Sequence, residues 1–98
     1  MIIAVNWTES ALADLKAIET YIARQSPQYG RSIVERIFHR TALLADFPRL
    51  GAIVPEYDSD LIRELIDNPY RLVYRIVDEV RVDVVAVVHG ARRMPLGL

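Results

Sequence analysis

Two stretches in the first half of the chain repeat apolar residues at the spacing of amphipathic helices. After a short apolar run at the start, Thr8 is a suitable N-cap, and the helical pattern extends over residues 9–25. Ser26 and Pro27 predict a second helix start, because proline is favoured at the first helical position. The second pattern continues to about Phe47. Because almost nothing separates the two helices, we expect a short strand followed by an antiparallel helical hairpin.

The second half of the chain changes to the alternating pattern that is typical of strands. Residues 48–60 contain two prolines and a glycine among acidic residues, which predicts an ordered loop. Three strand-like runs follow at residues 61–66, 70–77 and 80–89, with short turns that predict an antiparallel meander. Residues 1–98 therefore predict a single α+β domain of order β-α-α-β-β-β, with the hairpin packed on a small, mainly antiparallel sheet.

The last two predicted strands indicate how the sheet is covered. Alternation in the first of them separates a core face from a mixed face with two arginines: Tyr70, Leu72, Tyr74 and Ile76 against Arg71, Val73, Arg75 and Val77. In the last strand both faces are apolar: Val82, Val84, Ala86 and Val88 against Val85 and Val87. Such a strand is usually central and covered on both sides. Since the hairpin covers one side, a partner or the loop at residues 48–60 must cover the other.

Composition narrows the classes of function. Hydrophobic residues make up 52% of the 98 positions, and surplus apolar surface on a small domain often lies against a partner. The net charge of -1 gives no overall basic field of the kind that attracts nucleic acid. There is no cysteine, and we expect no disulfide and no cofactor. The absence of a leader-like or spanning apolar stretch favours a cytoplasmic protein without a membrane partner.

Charged residues provide the candidates for a site. Lys16 is the single lysine, so nearly all the cations are arginines, which suit planar contacts with carboxylates and phosphates. Acidic residues in the loop at 48–60 have no histidine beside them, and we predict no metal site. Arg71 and Arg75 have a structural alternative to any functional role: ion pairs across the sheet with Glu64, Asp78 or Asp83.

The order of elements and several motifs resemble the RelE/ParE superfamily of bacterial toxins from type II toxin–antitoxin systems. The resemblance covers nearly the whole chain and rests on VNWTESALADLKAIETYIA, FPRLGAIVPEY, IRELI, YRLVYRI and VVHGARRMP. It implies the toxin of a plasmid stabilisation-type module that a small cognate antitoxin neutralises. RelE-like members cleave mRNA in the ribosomal A site. ParE-like members bind DNA gyrase and stall it on cleaved DNA.

The resemblance to RelE-like ribonucleases is incomplete at the functional positions. Arg71 matches a functional arginine, and His89 and Arg92 would complete a ribonuclease set. The two functional lysines of RelE correspond to Ile62 and Glu64, and neither side chain stabilises a phosphorane. The tyrosine near the C-terminus is also missing. His89, which ends a strand before a glycine, has the alternative of bonding a neighbouring backbone group.

The ParE-like branch accounts for these departures, because inhibition by binding needs no catalytic residue. We therefore interpret the chain as a gyrase inhibitor rather than an enzyme, with a ribosome-dependent endoribonuclease as the alternative and a non-toxic binding module as a third possibility. The expected partner is a ParD-like antitoxin, with a ribbon-helix-helix protein as one candidate.

The contacts expected of such a toxin lie on two surfaces. The antitoxin is predicted to lie over the hairpin and the mixed sheet face: Ile33, Ile37, Arg71, Arg75, Val85 and Val87. The target is predicted to contact the C-terminal segment at residues 90–98: Arg92, Arg93, Met94 and Pro95.

Overall fold

The computed structural model describes residues 2–90 and 92–95 of the chain. The helices and strands appear in the predicted order, with one short strand added inside the loop that precedes the meander. Their bounds are β1 Ala4–Trp7, α1 Glu9–Ala23, α2 Pro27–Ala42, a 3-10 turn Leu43–Ala45, β2 Ala52–Ile53, β3 Ile62–Asp67, β4 Tyr70–Ile76 and β5 Arg81–His89.

Both helices begin at the predicted caps. The Thr8 hydroxyl accepts a hydrogen bond from the backbone N–H of Ala11 at 3.1 Å, and the Ser26 hydroxyl accepts one from Tyr29 at the same distance. Each bond satisfies one of the N–H groups that the first helical turn leaves without an intrahelical partner. The second helix ends earlier than the predicted Phe47, because a 3-10 turn follows α2.

The five strands form one mixed sheet in the order β1-β5-β4-β3-β2. β1 is parallel to β5, and the other neighbours are antiparallel, which confirms the predicted meander. β5 lies between β1 and β4, so the strand that is apolar on both faces is central, as predicted. The main core lies between the hairpin and one face of the sheet: Ala11, Leu15, Ile33, Ile37, Leu44, Leu65, Tyr70, Leu72, Tyr74, Val82, Val84 and Val87.

A β-bulge in the last strand corrects the predicted assignment of its faces. Val73 pairs with Ala86, but the next residue of β4, Tyr74, pairs with Val84, which leaves Val85 without a partner in β4. One extra residue in a strand reverses the direction of every side chain that follows it. Two neighbouring residues therefore face away from the hairpin, and strict alternation through residues 80–89 was wrong. The hairpin core receives Val82, Val84 and Val87, whereas the other face receives Val85, Ala86 and Val88.

The loop at residues 48–60 covers much of the second face of the sheet. A smaller apolar cluster lies beneath it: Val54, Ile62, Val73, Ala86, Val88 and Met94, with Tyr57 and Val85 packed against them. The sequence predicted that either a partner or the loop would cover this face. In this chain the loop covers it, and the C-terminal segment adds Met94 to the cluster.

Tyr74 fixes the start of this loop from inside the protein. Its hydroxyl donates to the backbone oxygen of Pro48 at 2.7 Å and accepts from the N–H of Gly51 at 2.9 Å. A Cβ atom on Gly51 would lie 2.5 Å from the backbone oxygen of Glu64, so the loop comes too close to β3 for a side chain there. The tyrosine is 1% exposed, which confirms that it belongs to the core.

Within residues 2–90 and 92–95, no helix is both long enough and apolar enough to cross a membrane.

Candidate functional site

Arg71 is the centre of an ion cluster on the loop-covered face of the sheet. Its Nη1 and Nη2 atoms donate to the two carboxylate oxygens of Glu56 at 2.7 and 2.9 Å. Its Nε and Nη2 atoms also donate to Glu64, the latter at 3.1 Å. Arg71 therefore holds two carboxylates at once, one from the loop and one from β3. This pairing confirms the predicted alternative for Arg71 and identifies Glu64 as one of its partners.

The cluster is partly shielded from water, and its charges are compensated. The side chains of Arg71 and Glu64 are 15% and 9% exposed, whereas that of Glu56 is 42% exposed. The hydrogen bonds that Arg71 donates to Glu56 and, to a smaller extent, to Glu64 raise the pKa of Arg71. Conversely, the hydrogen bond from Arg71 lowers the pKa of Glu56 below its ordinary value. Because both forks of the guanidinium are occupied, a phosphate would have to displace a carboxylate to bind Arg71.

The structure separates the residues proposed for a ribonuclease. His89 lies at the end of β5, where its ring meets Tyr70 edge-on with centroids 5.9 Å apart. Tyr70 belongs to the core under the hairpin, whereas Arg71 lies on the opposite face of the sheet among the loop-bound carboxylates. Arg92 is exposed three residues beyond His89. Arg71 and His89 are therefore not brought together around one reacting group.

The positions of the two missing lysines serve the structure of the second face. Ile62 is 7% exposed and belongs to the small apolar cluster under the loop. Glu64 is 8% exposed and binds Arg71. Asp83, another carboxylate named as an alternative partner for an arginine of β4, instead forms an ion pair with Arg81, whose Nε atom lies 3.1 Å from the Oδ1 atom of Asp83.

The C-terminal segment turns back over the sheet and is tied to the loop. The N–H of Gly90 donates to the backbone oxygen of Pro69 at 2.7 Å, and that of Arg92 donates to the backbone oxygen of His89 at 2.8 Å. Farther along, the Tyr57 hydroxyl donates to the backbone oxygen of Pro95. Backbone hydrogen bonds at Gly90 and Arg92 and a side-chain bond to Pro95 therefore hold the described part of the segment in place.

Four residues of this segment were predicted to contact a target. Arg92, Arg93 and Pro95 are exposed, whereas Met94 is 6% exposed and packs into the cluster under the loop. Met94 is therefore corrected from a contact residue to an anchor, because an apolar side chain gains more by burial beneath the loop. Residues 91 and 96–98, which belong to the same predicted segment, lie outside the described residues.

Half of the residues predicted to bind an antitoxin lie inside the protein. Ile33, Ile37 and Val87 are 2%, 0% and 5% exposed, and all three fill the core between the hairpin and the sheet. Helical periodicity directs the first two toward the sheet, and the bulge directs Val87 the same way. They are corrected to core residues. Of the others, Arg75 is exposed and Val85 is half-buried.

The sequence did not indicate an apolar groove at the end of the sheet where β1 begins. The groove has a volume of about 720 Å³, and its apolar wall includes Ile3, Leu61 and Val80. Asp78 and Glu79, at the turn between the last two strands, also line the groove. Exposed apolar residues at strand ends are the signal for such a groove, but only the fold places these distant positions side by side.

The acidic residues of the loop do not form a metal centre. In the part of the chain that the structure describes, no group of three or more histidines or carboxylates has a geometry that could hold a metal ion. Glu56 forms an ion pair with Arg71, and the Oδ2 atom of Asp60 lies 3.7 Å from the Nη1 atom of Arg49.

The comparisons with known proteins agree with this architecture. Residues 5–94 match a family described as the ParE toxin of the type II toxin-antitoxin system parDE. Toxin RelE2 of Caulobacter vibrioides is 35% identical over 89 residues, which cover 90% of this chain and 96% of that protein.

Two solved structures resemble the chain in fold. One is from the chromosomal ParDE toxin–antitoxin system of P. aeruginosa, with a TM-score of 0.72 and 22% identity over 90% of this chain and 96% of that one. The other is from the toxin–antitoxin complex RelBE2 of Mycobacterium tuberculosis, with a TM-score of 0.58 and 26% identity over 91% and 99%.

Proposed function

The chain belongs to the ParE family of toxins from type II toxin–antitoxin systems, and on that premise we propose that it inhibits DNA gyrase by direct binding. The observation that carries this proposal is the separation of the ribonuclease candidates. Arg71 is compensated by two carboxylates and faces away from His89. An inhibitor that acts by binding needs neither a general acid nor a phosphorane-stabilising cation.

The C-terminal segment is the part of the chain that we propose contacts the target. It presents Arg92 and Arg93 to solvent while Met94 is buried beside them. Anchoring through Met94 and through the bond from Tyr57 to Pro95 lowers the entropy that the segment loses on binding. Arginine is also among the residue types that dominate binding energy at protein interfaces.

The antitoxin is proposed to cover apolar side chains that the hairpin leaves exposed, since Ile33, Ile37 and Val87 are buried and not accessible to a partner. Leu12, Phe38 and Leu43 are 45%, 39% and 46% exposed along the two helices and the turn that follows them. Arg75, which is exposed, and Val85, which is half-buried, extend the same proposal to the face of the sheet opposite the hairpin. Exposed apolar surface of this extent on a small protein favours a bound partner.

The gyrase proposal is tested by adding the purified chain to a supercoiling assay and examining the products for cleaved DNA. We expect loss of supercoiling and accumulation of cleaved DNA. The double variant Arg92→Glu/Arg93→Glu should be much weaker, whereas Arg49→Glu, an exposed arginine at the other end of the sheet, should act like the wild type. Full supercoiling activity at a clear molar excess of the wild-type chain would contradict the proposal.

The ribonuclease alternative is separated from gyrase inhibition by a parallel measurement. Transcripts in a translating extract should remain intact in the presence of the chain. Cleaved mRNA that disappears with Arg71→Ala or His89→Gln would favour the ribonuclease instead.

A further inference from the structure

The end of the molecule that carries the hairpin turn also gathers two exposed tyrosines and two exposed arginines around the buried Tyr70, and together they come from four elements. We call the set Tyr21, Tyr29, Arg36, Tyr70 and Arg92 the tyrosine–arginine surface. Tyr21 is 70% exposed in the last turn of α1, and Tyr29 is 54% exposed in the first turn of α2. Both aromatic rings present most of their area to solvent without packing into the core.

Strand pairing places the remaining members beside the hairpin turn. Asp67 pairs with Tyr70 in the β3–β4 register, and Tyr70 pairs with His89 in the β4–β5 register. The side chain of Arg36 extends from α2 to this end of the strands, where its Nε atom donates to the Oδ2 atom of Asp67 at 2.9 Å. Arg92 follows through its backbone bond to His89. The helix ends, the strand ends and the start of the C-terminal segment therefore meet at one end of the sheet.

The electrostatic interactions among the side chains agree with this proximity. Burial raises the pKa of Tyr70, and the neighbouring hydroxyls of Tyr29 and Tyr21 raise it further. The hydrogen bond to Asp67 raises the pKa of Arg36, and the neighbouring Tyr29 raises it further. Tyr70 therefore lies within interaction distance of Tyr21, Tyr29 and Arg36, and Arg36 lies within interaction distance of Tyr29.

The composition of this surface fits a protein partner that carries acidic residues. Tyrosine and arginine are enriched at protein interfaces, and they provide a large share of the binding energy there. Arg36 is paired with Asp67, but Arg92 and, one turn beyond Tyr21, Arg24 are exposed. A partner segment with carboxylates would therefore find exposed guanidinium groups beside aromatic rings on this surface. Nucleic acid fits less well, because the chain as a whole carries a net charge of -1 and Asp67 lies within the surface.

We propose that the tyrosine–arginine surface binds an acidic segment of the toxin's protein target, together with the exposed arginines of the C-terminal segment. This inference rests on the proposed function in that it assumes a protein target. It adds the turn of the helical hairpin to the contact region, through two tyrosines that no ribonuclease role or core packing requires.

The decisive variant is Tyr21→Ala/Tyr29→Ala, because both side chains are mostly exposed and their loss should leave folding intact. The matched control is Phe47→Ala/Leu50→Ala, which removes two side chains that are 61% and 50% exposed at the opposite end of the sheet. Thermal unfolding of each purified chain checks that the fold is retained. Arg92→Glu serves as the charge variant and should also reduce the dependence of inhibition on salt.

Three measurements are made on every variant: growth arrest on expression without an antitoxin, inhibition of purified gyrase, and binding to a single-stranded oligonucleotide of about 20 nucleotides. We expect the tyrosine variant to require about tenfold more protein, or more, for gyrase inhibition, and to arrest growth less. The control variant should match the wild type in all three.

The outcomes separate this inference from the gyrase proposal. If the wild type arrests growth without affecting gyrase, and the tyrosine variant relieves the arrest, the gyrase proposal fails and the surface is supported. If wild type and tyrosine variant inhibit gyrase equally, the surface is overturned and gyrase inhibition stands. Oligonucleotide binding that is lost with the tyrosines, or a wild type that neither arrests growth nor inhibits gyrase, would also overturn it.

Discussion

The two faces of the sheet are covered in different ways. On one face, the helical hairpin buries a continuous set of apolar side chains. On the other, an irregular loop and the C-terminal segment close a smaller cluster of six buried apolar residues, and Glu64 and Asp83 are buried at the same face. The loop is attached by specific polar contacts: Glu56 to Arg71 from the sheet, and Tyr74 to Pro48 and Gly51.

This difference indicates a division of roles. A large apolar core gives stability that depends little on individual polar contacts. A face that is closed by ion pairs depends on each partner, because a buried charge left alone costs more than the pair contributes. The loop-covered face also anchors the proposed target-binding segment through Met94. Changes on this face should therefore affect the C-terminal segment more than they affect the fold.

The largest expected effect is in the hairpin core. Ile37 is 0% exposed, and Ile37→Ala should lower the free energy of unfolding by about 3 kcal/mol, since it removes buried methyl groups and leaves a cavity. Urea unfolding followed by circular dichroism measures the change. Leu12→Ala, at a 45% exposed position of the same hairpin, is the control and should cost well under half as much. Equal losses would show that the hairpin face is not the main source of stability.

The next effect concerns the ion cluster on the opposite face. Glu64→Ala should lower the free energy of unfolding by about 1–2 kcal/mol, because it removes one carboxylate from a shielded arginine that Glu56 still pairs. The double variant Arg71→Met/Glu64→Leu should recover much of that loss, since it leaves no buried charge without a partner, and the Glu56 carboxylate, at 42% exposed, can be hydrated by solvent. A double variant that is less stable than Glu64→Ala would contradict this account of the cluster.

A smaller effect should separate the C-terminal segment from the global fold. Tyr57→Phe removes the hydroxyl that donates to Pro95 and should cost about 0.5 kcal/mol, within the range of a single exposed hydrogen bond. Amide hydrogen exchange at residues 92–94 should increase while exchange in the hairpin stays the same. Faster exchange in both regions would mean that the segment is not an independent unit.

The smallest expected effect is a pH dependence that arises from Glu56. Because Arg71 lowers the pKa of Glu56 in the folded protein, the ionised carboxylate stabilises the fold above its ordinary pKa of 4.5. That contribution is lost as the pH falls through the lower folded value. Urea unfolding between about pH 6 and pH 3 should therefore show a steeper acid loss for the wild type than for Glu56→Gln. Identical acid profiles would contradict the pairing.

The fold was largely predictable because its main signals are local. The caps at Thr8 and Ser26, the helical spacing of the hairpin and the alternation in β4 each involve residues within a few positions of one another. The centrality of β5 followed from its composition alone. The candidate site was less predictable. The residues predicted to contact partners included four that are buried, Ile33, Ile37, Val87 and Met94, because an apolar stripe does not distinguish a core from an interface.

The sequence by itself determined the order of helices and strands. It also showed that the central strand must be covered on both faces, and that the lysines of a RelE-like ribonuclease are absent. Only the tertiary structure decided which partners Arg71 binds and which face His89 joins. It also decided where the alternation of β5 breaks. The physical reason is that hydrogen-bond and side-chain periodicity are properties of neighbouring residues. An ion pair across 15 positions and a bulge set by the register of a second strand depend on chain segments that meet only after folding.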